Sequence, residues 1–263
     1  MSDFLWVEKY RPKTVADCIL PQTLKQQFHD VVATGELPNM LFTGTAGLGK
    51  TTVAKALCHE LGLDYILING SEEGNIDTLR GKIKQFASSV SLQGGYKVVI
   101  LDEADYLNAQ STQPALRGFI EEFANNCRFI LTCNFKNKII NPLHSRCGVY
   151  EFNTSKKDLP KLAQDFYQRL LYILDREGIK HDEKTPVNLV MKYAPDWRRV
   201  LNESQRHSTS GMLIVSNTGG VDNSFSDLAK FLKDKDFKNM RHWVVNSMDI
   251  DATAIFRGIY ASM

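Results

Sequence analysis

The residues with the clearest chemical potential form a run of small and polar side chains, Gly44-Thr45-Ala46-Gly47-Leu48-Gly49-Lys50-Thr51. Glycines let such a loop turn its backbone N–H groups toward phosphate oxygens, and a following helix presents its positive end to the same anion. Lys50 supplies a point charge for the outer phosphates, and Thr51 supplies a hydroxyl for Mg²⁺. The run is a complete P-loop, which predicts binding of a nucleoside triphosphate.

The segments around this loop have the order that the motif requires. Leu41-Phe42-Thr43 reads as a strand, and residues from Thr52 to Leu61 read as a helix with small and apolar side chains facing inward. A glycine loop that occurs by chance before a helix lacks this context. We therefore include Thr52 in the predicted nucleotide site.

A second motif follows a wholly apolar run, Val98–Leu101, which is typical of a strand buried on both faces of a parallel sheet. Asp102 and Glu103 come directly after it, at the end of the strand where such sheets bind ligands. We predict that Asp102 holds Mg²⁺ through water and that Glu103 orients or deprotonates the attacking water. The alternative is an acidic turn between a strand and a helix.

The same stretch continues as Asp102-Glu103-Ala104-Asp105, which also suggests a helicase with two motor domains. Such a helicase needs a second α/β domain with its own arginine motif. The chain beyond the last predicted strand, Gly148–Phe152, is short and helical in pattern. We therefore predict that Asp105 caps a helix or lies in a loop.

Composition is that of an ordinary globular protein: 263 residues, 43% apolar and 24% charged, with a net charge of +2. This charge does not by itself indicate a nucleic-acid partner, so any DNA contact would come from a local basic patch or from several subunits together. Five cysteines without a C-x-x-C pair suit a reducing cytosol and do not favour a metal site. No apolar run reaches the ~18 residues of a membrane helix, so we expect a soluble, cytoplasmic protein.

Strands and helices alternate after the N-terminal segment, which ends in a helix predicted at 24–34. Strands are also predicted at 64–68, 96–101, 127–133 and 148–152, with helices at 76–89 and 113–123. This pattern favours an α/β fold with a parallel five-stranded sheet covered by helices on both faces.

The pattern becomes purely helical after Asn153. We predict a nucleotide-binding domain with its N-terminal segment at 1–153, a helical lid at 154–220 and a further helical segment at 221–263. Thr218-Gly219-Gly220 marks the second boundary.

Together these motifs resemble the AAA+ ATPases of the sliding-clamp-loader family, which includes the small subunits of replication factor C. Glu8-Lys9-Tyr10-Arg11-Pro12 resembles the start of that family, and Ser145-Arg146-Cys147 resembles its interface motif. Further likeness to the ATPase subunits of T4-type phages lies in Cys18-Ile19-Leu20-Pro21, Thr51–His59 and Pro195-Asp196. The resemblance implies a P-loop AAA+ domain, a lid and, from 221 onward, only the beginning of the helical collar that joins subunits.

The resemblance also assigns roles to residues outside the two motifs. Asn134, after the apolar strand Phe129–Cys133, resembles the first sensor, which bonds the γ-phosphate or the attacking water. Arg146 resembles an arginine finger that acts in trans on the ATP of a neighbouring subunit. Arg198 resembles the second sensor, with Arg199 as its rival. The resemblance places Tyr10, Arg11 and Pro12 around the adenine and ribose.

DNA contact is implied by Arg80 and Lys84, which lie four residues apart on one face of a predicted helix. The alternative is a solvated basic face. Gln113 fits the glutamine that relays DNA contact to the catalytic glutamate. Pro114 and Gly118 are unusual in the helix that carries it, and Pro114 is tolerable only in the first turn.

The function that follows from the resemblance is that of the ATPase subunit of a DNA polymerase clamp loader, using ATP and Mg²⁺. Expected partners are a sliding clamp, a second loader subunit, further copies of the chain in a ring, and primer-template DNA bound without sequence preference. The location would be the host cytoplasm if a phage encodes the chain. The alternatives are another AAA+ ATPase that remodels DNA or initiates replication, and a scaffold subunit that binds ATP without hydrolysing it.

Overall fold

The computed structural model describes residues 4–89, 95–214, 221–246, 255–256 and 259–260. Contacts divide the chain into two compact units, Met1–Ile214 and Val215–Met263. The predicted boundary at Thr218-Gly219-Gly220 lies outside the described residues. No helix in the described ranges is long and apolar enough to cross a membrane.

Five parallel strands form one sheet in the order β2-β3-β4-β1-β5. They are β1 (Met40–Thr43), β2 (Tyr65–Asn69), β3 (Lys97–Asp102), β4 (Cys127–Cys133) and β5 (Gly148–Glu151). The predicted five-stranded parallel sheet is therefore confirmed. Because all strands point the same way, the P-loop after β1, the acidic pair at the end of β3 and Asn134 after β4 meet at the carboxyl edge of the sheet.

Helices cover both faces of this sheet. In chain order the helices are α1 (Trp6–Lys9), α2 (Gln22–Thr34), α3 (Lys50–Glu60), α4 (Ile76–Ser88), α5 (Thr112–Glu122), α6 (Asn141–His144), α7 (Leu159–Arg176), α8 (Lys184–Tyr193), α9 (Trp197–Arg206), α10 (Val221–Lys233) and α11 (Phe237–Asn246). Short 3₁₀ turns lie at Ala104–Tyr106 and Lys136–Lys138.

The alternation of β3 side chains explains the two layers. Val99 and Leu101 pack with α4 and α5 on one face, whereas Val98 and Ile100 pack with α2 and α3 on the other. Successive side chains of a strand point to opposite faces, so an apolar run such as that of β3 needs a helical layer on each side.

Several helices begin earlier than predicted, among them α2, which starts at Gln22 rather than at Leu24. Helix α3 starts at Lys50, directly after Gly49, whose left-handed backbone (φ 86°) ends the P-loop. Helix α5 starts at Thr112, which places Pro114 in the first turn, where its missing N–H has no intrahelical partner to lose.

We call helices α7–α9, which lie within the segment predicted as a lid at 154–220, the lid. The apolar face of α7 is buried, and the ring of Phe166 stacks on Trp197 of α9 with centroids 4.7 Å apart. The second unit contains α10 and α11.

Candidate nucleotide-binding site

The P-loop keeps a conformation that requires glycine at two close approaches. Gly44 has φ 149°, and a Cβ there would lie 2.6 Å from the carbonyl oxygen of Phe152. Gly47 has φ 82°, and a Cβ there would lie 1.9 Å from Asp196 Oδ1 of the lid. The loop is therefore packed between the last strand and the lid while its backbone faces the cavity.

Lys50 is the centre of polar contacts in this loop. Its ammonium donates to the carbonyl oxygens of Gly44 (2.7 Å) and Thr45 (2.8 Å) and to Asn134 Oδ1 (2.9 Å). The residue is 8% exposed. Burial lowers the pKa of Lys50 below its usual value, because desolvation disfavours the charged form. The structure thus brings together the predicted phosphate lysine and the predicted first sensor.

Hard oxygen ligands meet beside this lysine. Thr51 Oγ1 donates to Asp102 Oδ1 at 2.7 Å, and Thr132 Oγ1 donates to the same carboxylate oxygen. A hydroxyl and a carboxylate next to a phosphate-binding loop are the donor set that Mg²⁺ uses in nucleotide sites. The residues present therefore fit this ion.

Glu103 adopts a left-handed backbone conformation, with φ 54°. This conformation is uncommon for a residue with a side chain and is concentrated at functional sites. The Glu103 N–H donates to Thr132 Oγ1 at 3.2 Å, and Gly70 leaves room for the carbonyl, since a Cβ at Gly70 would lie 2.7 Å from it. The turn places Glu103 at an open cavity that Lys50 and Asn134 also line.

Two residues of this site were not identified as site residues from the sequence. Asp105 is 5% exposed within the 3₁₀ turn Ala104–Tyr106, and its Oδ2 accepts the backbone N–H groups of Asn134 and Phe135, each at 3.3 Å. Thr132 joins Asp102 to the backbone of Glu103. The sequence predicts Asp105 only as a helix cap or loop residue, and no local pattern marks Thr132.

The lid contributes Arg198 to the cavity. Arg198 lines the same space as Lys50 and Glu103, whereas the guanidinium of Arg199 lies over the ring of Tyr193, 4.7 Å from its centroid. Asp196 caps α9 by accepting the Arg199 N–H at 3.0 Å. This cap fixes the start of α9, so Arg198 faces the P-loop and its neighbour in sequence faces away.

A second open cavity adjoins the P-loop on the side of the N-terminal segment. It is lined by Tyr10, Arg11, Pro12, Leu48 and Trp197, among others. Its mixed apolar and polar lining suits a nucleoside, with Gly47 and Gly49 on the side toward the phosphate cavity.

Contacts of the N-terminal segment reach both the core and the lid. Arg11 Nη1 donates to Thr52 Oγ1 at 3.0 Å, on the P-loop helix. The Tyr10 hydroxyl and the Lys9 ammonium both donate to Glu177 at the end of α7. Burial and the hydrogen bond with Glu177 raise the pKa of Tyr10. The Tyr10 hydroxyl therefore bonds the end of α7, while the Tyr10 ring lines the cavity.

Arg146 lies far from this cavity. It lies two residues before the start of β5, where Gly148 pairs with Met40 at the beginning of β1, whereas the P-loop follows Thr43 at the other end. Strand β1 has four residues, or about 13 Å. Arg146 Nε donates to Glu121 Oε1 at 2.9 Å and Nη1 donates to the carbonyl of Pro142 at 2.9 Å. The structure thus separates Arg146 from the other predicted catalytic residues of its own chain.

The predicted DNA residues lie on α4. Arg80 and Lys84 are both exposed, and the Arg80 guanidinium lies 6.0 Å from the ring centroid of Phe119. Lys82, on another side of the helix, pairs with Glu73.

Gln113 is 1% exposed. Its amide donates to the carbonyls of Leu107 and Lys138, each at 3.0 Å, and accepts the Ile140 N–H at 2.9 Å. In the described part of the chain these bonds connect backbone loops, so the relay to Glu103 remains a prediction without a direct contact.

Comparison with known proteins places these features in a family context. The family model described as "ATPase family associated with various cellular activities (AAA)" matches residues 40–154. The sliding-clamp-loader large subunit of Escherichia phage RB69 is 38% identical over 243 residues, covering 89% of this chain and 75% of that protein. The counterpart of Enterobacteria phage T4 is 37% identical over 244 residues, with the same coverage of 89% and 75%.

More distant matches extend the comparison. The replication factor C small subunit of Archaeoglobus fulgidus is 37% identical over 225 residues, covering 83% of this chain and 68% of that protein. Among solved structures, a mutant of Thermotoga maritima RuvB superposes with a TM-score of 0.64 at 18% identity, covering 92% of this chain and 87% of that one. At this identity the structural match supports the fold alone.

Proposed function

The chain belongs to the AAA+ sliding-clamp-loader family of ATP-hydrolysing enzymes, and we propose that it is the ATPase subunit of a loader that acts in DNA replication. The observation that carries the proposal is the separation of Arg146 from a cavity that otherwise gathers Lys50, Asn134 and Glu103. In this proposal Arg146 serves the site of a neighbouring subunit, so hydrolysis depends on assembly.

ATP is the substrate in this proposal, and Mg²⁺ would be held by Thr51 and Asp102, where it neutralises phosphate charge. The Lys50 ammonium, which donates to the carbonyls of Gly44 and Thr45, would donate to the outer phosphate oxygens when ATP is bound. Asn134 accepts from Lys50 through Oδ1, and its NH₂ group would donate to the γ-phosphate or the attacking water. Glu103 orients and deprotonates the attacking water, for which the turn at φ 54° positions its carboxylate.

Arg198 connects this chemistry to the lid. It reaches the phosphate cavity from α9, so a charge on the γ-phosphate pulls the lid toward the core. Loss of that charge after hydrolysis removes the attraction. In this way the lid angle depends on the nucleotide, and ATP binding drives clamp opening while hydrolysis releases the closed clamp on DNA.

Partners follow from the same arrangement. Further copies supply Arg146 in trans, a second loader subunit completes the ring, and the ring holds a sliding clamp. Arg80 and Lys84 on the exposed face of α4 contact the phosphates of primer-template DNA, which gives affinity without sequence preference.

The test is steady-state ATP hydrolysis by the chain co-assembled with its candidate partner subunit, with and without primer-template DNA and sliding clamp. Strong stimulation by both ligands, lost in Arg146→Ala, is the expected result. Arg206→Ala is the matched control, since Arg206 also forms an ion pair with a glutamate of its own chain, Glu203. An assembled, active ATPase that ignores both ligands would refute the loader function and leave only the family assignment.

A further inference from the structure

The guanidinium of Arg146 is already engaged within its own chain. Nε and Nη2 both bond Glu121 Oε1, and Nη1 bonds the carbonyl of Pro142. The edge that carries Nε and Nη2 is one of the two edges with which a guanidinium grips a carboxylate or phosphate through paired bonds. In Arg146 that edge is filled by Glu121.

The position of Glu121 is unfavourable for the helix that carries it. Glu121 and Glu122 form the carboxyl end of α5, and the last turn of this helix contains no basic residue. The negative end of a helix dipole disfavours carboxylates there. Arg117, one turn earlier on the helix, offsets part of this cost, but the bond with Arg146 is the largest cause that holds the pKa of Glu121 below its usual value.

We propose that Glu121 is a positioning residue that latches Arg146 and competes with the ATP phosphates of the neighbouring chain. This inference rests on the proposed trans role of Arg146. While the pair is closed, the carboxylate cancels the charge of the guanidinium, which then cannot offset charge on a transferring phosphoryl group. The finger becomes effective when phosphate oxygens replace Glu121.

The exposure of the pair makes this exchange accessible. The side chain of Glu121 is 56% exposed and that of Arg146 is 30% exposed. Exposed ion pairs are weak and are screened by salt, so Glu121 weakens the binding of Arg146 to phosphate without preventing it. Removal of the carboxylate should therefore raise hydrolysis in the assembled ring by about two- to fivefold at low salt, and by less at high salt.

The first test compares ATP hydrolysis by the assembled complex carrying Glu121→Gln, Glu121→Asp, Glu122→Gln or Arg146→Ala. Glu121→Gln should raise the rate and Glu121→Asp should keep it near that of the wild type. Glu122→Gln, which removes the same charge from the neighbouring position, should change nothing. In the Arg146→Ala background, Glu121→Gln should have no effect, because no finger remains to release.

The outcomes separate the two proposals. If Arg146→Ala hydrolyses ATP like the wild type, the trans finger of the proposed function fails. If Arg146→Ala is impaired but Glu121→Gln is unchanged or slower than the wild type, the finger stands and the latch is refuted.

A second measurement needs no assembly. In the isolated chain, NMR should show the Nε–H proton of Arg146 exchanging slowly with water in the wild type and in Glu122→Gln, and rapidly in Glu121→Gln. Equal exchange in all three proteins would show that the latch does not form in solution and would overturn the inference.

Discussion

Gly47 lies where the P-loop meets the lid, and replacing it by alanine should disturb both. Its φ of 82° is one that residues with a side chain rarely adopt, and a Cβ would lie 1.9 Å from Asp196 Oδ1 and 3.0 Å from Asp196 Cα. Asp196 cannot yield freely, because its Oδ1 caps α9 through the Arg199 N–H. Gly47→Ala should therefore strain the loop and displace the cap that orients Arg198.

The expected cost has two parts. A left-handed alanine costs about 1–2 kcal/mol, and loss of an aspartate cap costs about 1 kcal/mol. Gly47→Ala should lower the free energy of unfolding by about 2–3 kcal/mol, measured by equilibrium urea unfolding. Gly35→Ala is the matched control, since Gly35 has φ 72° with nothing within 4 Å of its Cβ position. It should show only the conformational part, about 1–2 kcal/mol.

The contact itself can be isolated with Asp196→Ala. That variant has already lost the cap and the clashing carboxylate, so adding Gly47→Ala should cost little more than Gly35→Ala does. A coupling of about 1 kcal/mol between Gly47 and Asp196 is therefore expected. If Gly47→Ala costs no more than Gly35→Ala in the wild-type background, the packing of the lid cap on the P-loop is not significant and the reasoning is wrong.

Further changes test other parts of the site. Glu103→Gln should lower kcat by about 10²-fold or more while a fluorescent ATP analogue binds as before. Arg198→Ala should weaken that binding, whereas Arg199→Ala should lose only its contact with an aromatic ring, about 0.5–1 kcal/mol of stability. Asp105→Ala should reduce kcat more than nucleotide affinity, because it frees the N–H groups that hold the loop after β4. Burial raises the pKa of Cys58 from 9.0 to about 12. The folded state therefore holds this proton to higher pH than the unfolded state does, so the contribution to stability is full below pH 9 and is lost as the pH rises toward 12. The free energy of unfolding, measured in urea across this range, should fall less steeply with pH in Cys58→Ala than in the wild type.

The elements of the fold could be predicted because each has a local cause. Apolar runs such as Val98–Leu101 can be satisfied only by a buried strand, and the alternation with helices leaves a parallel sheet as the simplest arrangement. Chain direction then brings Asp102 and Asn134 to one edge. Where prediction and structure differ, as at the start of α3, the periodic apolar pattern begins after the true first turn, which the glycine of the loop determines.

Contacts between distant segments could not be predicted in the same way. Thr132 bonds Asp102 from a strand 30 residues away, and Asp196 meets Gly47 from the lid. A local sequence pattern could predict neither contact, because the two residues of each pair lie far apart in the chain. The same limit applies to Arg146: its triplet indicated a finger, but nothing nearby in sequence indicated that Glu121 would hold it.

The two ends of β1 explain why assembly and chemistry belong together in our proposal. The P-loop leaves one end of this strand, and β5, which follows Arg146, starts beside the other. A strand bonded on both sides, to β4 and β5, cannot bend to bring these ends together. Each chain therefore carries parts of two different sites, and a head-to-tail arrangement of copies would complete each of them. In an unassembled chain the finger would have no phosphate to bind, and the carboxylate of Glu121 holds the guanidinium of Arg146 in its place.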